Sequence, residues 1–220
     1  MKPSPLLETI ERTSARTSGA ATLSDAARAN LVTWLELLRT WNARIDLTAA
    51  KTDEELCDVM LVDALILAAR IPADARVVDV GTGAGAPGLA LALARPDLRV
   101  TLVEPLAKRV AFLRTVLGTL ARTDIRLERA KGEDVAARGD RFDVAVARAT
   151  LAPPAWLALG VRLVSEGGSV WVLLAKEAPP EVAAASIAED VHYALPHGGA
   201  SRRVVRYVTA ITPSVPNSST

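Results

Sequence analysis

The sequence is poor in the residues that build metal and disulfide sites: among 220 residues there is one cysteine, Cys57, and there are two histidines, His192 and His197. One cysteine excludes a disulfide framework and every multi-cysteine zinc site. Two histidines would need carboxylate help to hold a metal, so no metal site is expected. An excess of either charge is missing as well, since 26 Lys and Arg stand against 25 Asp and Glu. That balance argues against a chain that coats nucleic acid over its whole surface, but it permits a local basic face. Long apolar runs are absent too: the longest are cut by Asp63, Arg70 or Arg95, short of the ~18 uncharged residues of a membrane span. Met1–Gly19 is interrupted by Glu8, Glu11, Arg12 and Arg16 and shows no targeting segment. These absences predict a soluble, cytoplasmic protein.

What is present is a large apolar fraction, 50% of the chain, enough for a sizeable core in one ordinary domain with an extension. The first seventy residues read as helix. Ser24 can cap a segment whose apolar residues Ala27, Leu31, Trp34, Leu35, Leu38 and Trp41 recur at helical spacing. A second helix is expected from Thr52 or Asp53 to just before Pro72, with Glu54 and Glu55 at the positive end of its dipole. From Arg76 the pattern alternates. Val77–Val80, Val100–Val103, Ile125–Glu128, Phe142–Ala147 and Ser169–Leu174 read as strands, and Pro87–Ala94, Ala107–Ala121 and Pro154–Val164 as helices between them. Such alternation predicts an α/β fold, a mostly parallel sheet with helices on both faces. Val191–Leu195 and Val204–Ile211 are expected to form an antiparallel hairpin on its edge, and Pro213–Thr220 a frayed tail. The division expected is a helical cap over residues 1–72, a ligand-binding domain over 73–212 and a tail over 213–220.

The most informative stretch is Asp79-Val80-Gly81-Thr82-Gly83-Ala84-Gly85-Ala86-Pro87-Gly88, which follows a strand and opens a helix. Glycines there permit a tight turn and close approach of a ligand to the main chain, and the helix start offers oriented N–H groups. Two ligands fit. Gly83-x-Gly85-x-x-Gly88 satisfies the dinucleotide fingerprint, with Glu104 about twenty residues on as the ribose-binding acid. Counted from Gly81, the same stretch is acid-x-Gly-x-Gly-x-Gly with Asp79 at the strand end, which resembles class I methyltransferases and their S-adenosylmethionine (AdoMet). The acid at 79, a position usually apolar in dehydrogenases, favours AdoMet. A turn without a ligand is the third reading.

Further residues carry a resemblance to one family. Gly81–Gly88 together with Leu106-Ala107-Lys108-Arg109-Val110-Ala111-Phe112-Leu113 resembles the bacterial small-subunit rRNA guanine-N7 methyltransferases, the glucose-inhibited division protein B family. Trp41-Asn42 with Leu47-Thr48-Ala49, Asp63 with Leu65, Gly132-Glu133, Arg148-Ala149 and Lys176 are similar to further family motifs, from about Trp34 to Lys176. The resemblance implies a class I methyltransferase fold with an N-terminal helical cap. It implies AdoMet contacts at Gly81, Ala86, Gly132, Glu133 and Arg148, beside Asp79, Gly83, Gly85 and Glu104 of the loop and the next strand. It implies small-subunit rRNA, free or in the ribosomal particle, as partner. Departures from the family pattern are Asp46, Val59-Met60 (in place of a basic-His pair), Ala64, Ala86, Ala147 and Glu177.

Guanine N7 has an in-plane lone pair, so its methylation needs placement rather than a general base. Cytosine-C5 chemistry would need a thiolate, but Cys57 has apolar neighbours and reads as a core thiol. Ala152-Pro153-Pro154-Ala155-Trp156 lacks the polar acceptor of amine-methylating loops and reads as a helix start. Arg148, at the carboxyl end of a strand where open α/β sheets bind ligands, is the candidate catalytic residue. Lys108, Arg109, Arg114, Arg122, Arg126, Arg129 and Lys131, and separately Arg202, Arg203 and Arg206, could meet phosphates or be solvated faces. Trp34 and Trp41 are expected in the core.

Overall fold

The computed structural model describes residues 4–210; the expected tail, and Ile211 at the end of the last expected strand, lie outside them. Four helices come first: α1 (Pro5–Arg16), α2 (Asp25–Asn42), α3 (Asp53–Met60) and α4 (Val62–Ala68). The expected caps are in place. Ser24 accepts from the Ala27 N–H at 3.1 Å and Thr52 from the Glu55 N–H at 3.2 Å, each satisfying an otherwise free amide. The single helix expected over 52–71 is instead two, jointed at Leu61. The joint follows the pattern: α3 has polar positions, whereas all seven residues of α4 are buried, so the chain turns inward there.

After α4 the chain alternates through β1 (Arg76–Val80), α5 (Gly88–Ala94), β2 (Arg99–Val103), α6 (Ala107–Thr119), β3 (Arg126–Glu128), α7 (Gly132–Ala137), β4 (Phe142–Ala147), α8 (Pro153–Leu163) and β5 (Val164–Leu174). A hairpin of β6 (Ala185–Ala194) and β7 (Ser201–Thr209) follows. The seven strands lie in the order β3-β2-β1-β4-β5-β7-β6. The first five are parallel; β7 pairs antiparallel with both β5 and β6. The expected edge hairpin is thus present. β5 begins five residues before Ser169, because Glu166-Gly167-Gly168 reads as a turn but forms a bulge where the register against β4 shifts.

Alternation along the strands buries both faces. Val77, Val100, Leu102, Val144 and Val146 pack on α5, α6 and the N-terminal helices. Val78, Val80, Val103, Ala145 and Val170 pack on α7 and α8. The expected helices on both faces follow from this, as continuous apolar strands require. Trp34 of α2 is fully buried, as expected, and its indole N–H donates to the Ala84 carbonyl at 3.0 Å. Trp41 is half-buried against Phe112. The N-terminal helices therefore share a core with the sheet and hold the glycine-rich loop.

Candidate functional site

β1 is flanked by β2 on one side and β4 on the other, and the chain order reverses there. A crevice opens at the carboxyl ends of strands at such a point. The loop from Gly81 to Pro87 lies at the end of β1. Gly81, Gly83 and Gly85 have φ of +70°, +61° and +110°, conformations that glycine takes without the steric cost of a Cβ. The Gly81 and Thr82 amides donate to the Val103 carbonyl at 2.8 and 3.1 Å, tying the loop to β2.

Two buried carboxylates shape this loop from beneath. Asp79 Oδ2 accepts from the Gly88 N–H at 2.7 Å, while Asp79 Oδ1 and Thr82 Oγ1 are buried without a partner. Burial pushes the Asp79 carboxyl up to about 6, against the opposing pull of the nearby Thr82 hydroxyl, the Gly88 amide and the Arg148 charge. Glu104, 1% exposed at the end of β2, accepts from the Gly83 and Leu106 amides, each at 2.9 Å. Gly88 leaves no room for a side chain: a Cβ would lie 2.5 Å from Asp79 Cβ and 2.7 Å from Leu102 Cδ2. Gly88→Ala should therefore cost about 3 kcal/mol, a fall in Tm of roughly 6–12 °C in thermal denaturation. An unchanged Tm would contradict this packing.

A cleft of ≈ 500 Å³ lies over the loop, lined by Gly81, Gly83, Ala86, Glu104, Arg109, Arg148 and others. Leu47 and Met60 of the N-terminal half close one side. Leu47 is held there by Asn42, whose Oδ1 accepts from the Leu47 and Thr48 amides at 2.8 and 3.0 Å. Gly85 turns away from the cleft towards Leu89 and Trp34, and Asp79 lies below it. Gly132 packs inward, where a Cβ would come 2.6 Å from Val80 Cγ1. Glu133 is exposed on the first turn of α7, and neither residue lines the cleft.

A second cavity of ≈ 490 Å³ adjoins the first, lined by Asp58, Asp63, Arg148, Leu174, Tyr193 and Arg202 among others. Arg148 and Ala149 line both. Their backbone is fixed: Ala149 takes a φ of +52°, rare outside glycine and found where a site holds it. Thr150 Oγ1 donates to the Val80 carbonyl at 3.0 Å and fills the space that a side chain at Gly81 would need. The Arg148 guanidinium donates to the Val59 carbonyl and lies 3.4 Å from Asp63 Oδ2. Asp63 Oδ1 accepts from the Tyr193 hydroxyl at 2.6 Å. Burial, and the Asp63 carboxylate next to it, push the Tyr193 phenol up, so it remains a donor.

Sequence reasoning gave no role to Asp58, Thr150 or Tyr193. The one available signal was Asp63, a family motif position with an acid on an otherwise apolar helix. Of the departures, Val59 and Glu177 line the second cavity, Met60 and Ala86 the first, and Ala64 is buried. The basic stretches divide. Arg122 pairs with Asp124, Arg126 with Glu128, Arg203 with Asp190 and Arg206 with Glu189, whereas Lys108, Arg114, Arg129 and Lys131 are exposed. Cys57 is buried, and that burial pushes its thiol up to about 12, as suits a core thiol. His197 has a packing role: its ring nitrogen meets Thr13 Oγ1 at 2.9 Å and its main-chain N–H donates to the Asp58 carboxylate. Among the described residues, no cluster of His, Cys, Asp and Glu is placed to hold a metal, and no helix is long and apolar enough to cross a membrane.

Comparison with known proteins agrees with this geometry. The chain is similar over 91% of its length to the O-methyltransferase from Bacillus cereus solved in complex with SAH (TM-score 0.60, 15% identity, 99% of that chain), a likeness of fold. It is 36% identical over 197 residues to the ribosomal RNA small subunit methyltransferase G of Anaeromyxobacter dehalogenans, covering 84% of this chain and 90% of that one. It is 37% identical over 178 residues to the protein of the same name from Myxococcus xanthus, covering 77% and 82%. Residues 27–202 match the family described as rRNA small subunit methyltransferase G. With a class I methyltransferase fold, a glycine-rich cleft and this likeness over most of its length, the chain belongs to the rRNA small subunit methyltransferase G family.

Proposed function

We propose that this protein transfers a methyl group from AdoMet to a guanine N7 of small-subunit rRNA, acting in the cytoplasm. The observation that carries the reading is the wall of Arg148 and Ala149 shared by the glycine-loop cleft and the second cavity. Two reactants bound in adjoining cavities that share this border can come into direct contact beside it, as methyl transfer requires.

The residues present fit AdoMet. Gly81 and Gly83 leave the loop backbone open to close approach, and the Glu104 carboxylate at the cleft suits a ribose diol, which donates two hydrogen bonds. Asp79, buried beneath the loop, accepts from the Gly88 amide and so holds the loop in shape. Ala86 and Arg148 complete the wall and Gly85 lets the loop turn; Gly132 and Glu133, which lie outside the cleft lining, have an adenine role by resemblance alone. The cofactor supplies a methyl carbon bound to a cationic sulfur. The chain's own work is then to orient an in-plane lone pair and to exclude water. Leu173, Leu174 and Leu195 of the second cavity serve that exclusion. Lys108, Arg129 and Lys131, exposed near the carboxyl edge of the sheet, suit the phosphates of an RNA.

Labelled AdoMet incubated with the protein and, separately, purified small subunits, protein-free rRNA and a small-metabolite panel tests this. Label is expected in the rRNA, recovered as N7-methylguanosine by nucleoside mass spectrometry. Label confined to small metabolites would overturn it. Another RNA or a small molecule as acceptor is the second reading, motivated by Val59 and Met60 on the cavity walls in place of the family's basic-His pair.

A further inference from the structure

The second cavity joins three parts of the chain that are far apart in sequence. Asp58, Val59 and Asp63 come from α3 and α4, Arg148 from the end of β4, and Tyr193 and Arg202 from the edge hairpin. We propose that this cavity takes the methyl-accepting base, and that Tyr193 and Asp63 are positioning residues that set Arg148 on the wall between base and cofactor. The inference rests on the methyl-transfer reading above.

The geometry is a chain of hydrogen bonds. Tyr193 donates to one oxygen of Asp63, and the other oxygen faces the Arg148 guanidinium, which is also held by the Val59 carbonyl. Arg148 is thereby anchored through Nη1 while the residue lines both cavities. A guanidinium left free would sample many rotamers, and each bond that fixes it removes that freedom. With its hydroxyl kept as a donor, Tyr193 fixes which way the Asp63 carboxylate points.

Charge supports the same assignment. In the transfer, the bond from sulfur to methyl carbon breaks as the bond from ring nitrogen to carbon forms. The sulfur keeps the electron pair, no proton moves, and the positive charge passes to the base. Asp58, Asp63 and Glu177 line the cavity against Arg148 and Arg202, a wall with one more negative than positive group. Such a wall favours a base that becomes cationic. Without Asp63, the Arg148 charge would face that developing cation uncompensated.

Tyr193→Phe removes one hydroxyl from a half-buried ring and should melt within about 4 °C of wild type. Two readouts follow for the full-length chain. Arg148 should react several-fold faster with phenylglyoxal, followed by peptide mass spectrometry, because its anchor is loosened. In the rRNA assay kcat should fall about 10-fold through misplacement, with AdoMet affinity by calorimetry unchanged. Asp63→Asn, which keeps an acceptor for Tyr193 but loses the charge facing Arg148, should lower kcat at least as far. Wild-type kcat in both variants overturns the inference, even if Arg148 becomes more reactive, since the reaction would then not use the anchor. Equal losses in kcat and AdoMet affinity also overturn it, by placing the pair at the cofactor instead. If wild-type protein labels no RNA, the methyl-transfer reading itself has failed and the base assignment falls with it; that result is read before any variant is made.

Discussion

Arg148→Ala is expected to fold and to lose methyl transfer by about 100-fold, the scale of a misplaced reactant, because the base loses the side chain that sets it against the methyl carbon. Arg148, with Ala149, lines both cavities, so its loss affects the surface on which the two reactants meet. The fold should survive because β4 and the Thr150–Val80 bond do not depend on the guanidinium. Stability falls modestly: the partly buried Asp63 loses its cationic partner and keeps Tyr193, a cost of about 2 kcal/mol or roughly 4–8 °C in Tm. Both the Val59 and the Asp63 contact are made by Nη1, so Arg148→Lys keeps one charged donor on a flexible stem but loses the guanidinium's other nitrogens, and partial activity is expected. Circular dichroism and melting establish the fold, and single-turnover methylation reads the loss. Wild-type turnover in Arg148→Ala would remove this residue from the site.

Asp79→Asn should move stability and ligand affinity in opposite directions. The wild-type carboxyl is wholly buried, and its value of about 6 means that ionisation is disfavoured in the folded state relative to an ordinary aspartate near 3.8. A group raised on folding contributes its full stability below its unfolded value and loses it as pH rises through the folded one. The wild type should therefore hold this contribution below about pH 4 and be without it above about pH 6, a difference of up to about 3 kcal/mol. Asparagine keeps the shape and an acceptor for the Gly88 amide but has no charge to bury. The variant should therefore melt several degrees above wild type at pH 7.5, with the gap closing towards pH 4. AdoMet affinity should meanwhile fall about 10-fold, because the carboxylate beneath the loop no longer attracts the cationic cofactor. A pH-independent difference in Tm would refute the buried-charge account, and unchanged affinity would refute the role at the cofactor.

The two classes of residue differed in how readable they were. The alternating strands, the Ser24 and Thr52 caps and the glycine turn are local signals, and apart from the early start of β5 each stands where the sequence places it. Elements with mixed signals were harder. β6 is exposed on the sheet edge and lacks a clean alternation, so only its last residues, from Val191, were legible. α7 is six residues long and begins with glycine, too short to show a helical period. In the candidate site, Asp79, Gly81 and Glu104 announce themselves through one contiguous motif and its spacing. Tyr193 does not: it lies 130 residues from Asp63 in sequence, and nothing near it in the chain indicates that partner. Gly132 and Glu133 show the reverse limit, because a family motif identifies residue types and not which way they face.

The bond from the Trp34 indole to the Ala84 carbonyl spans 50 residues, and its consequence lies in the order of events during folding. The glycine loop cannot take its final path until α2 has docked on α5, a long-range closure whose entropy must be offset by the packing that follows. At a synthesis rate of ~5–20 residues per second, α2 leaves the ribosome seconds before its partner exists, with Trp34 and its apolar neighbours waiting uncovered. Competence to hold a cofactor is therefore acquired late, and hydrogen exchange at the loop amides should report on global unfolding rather than on local breathing of the loop.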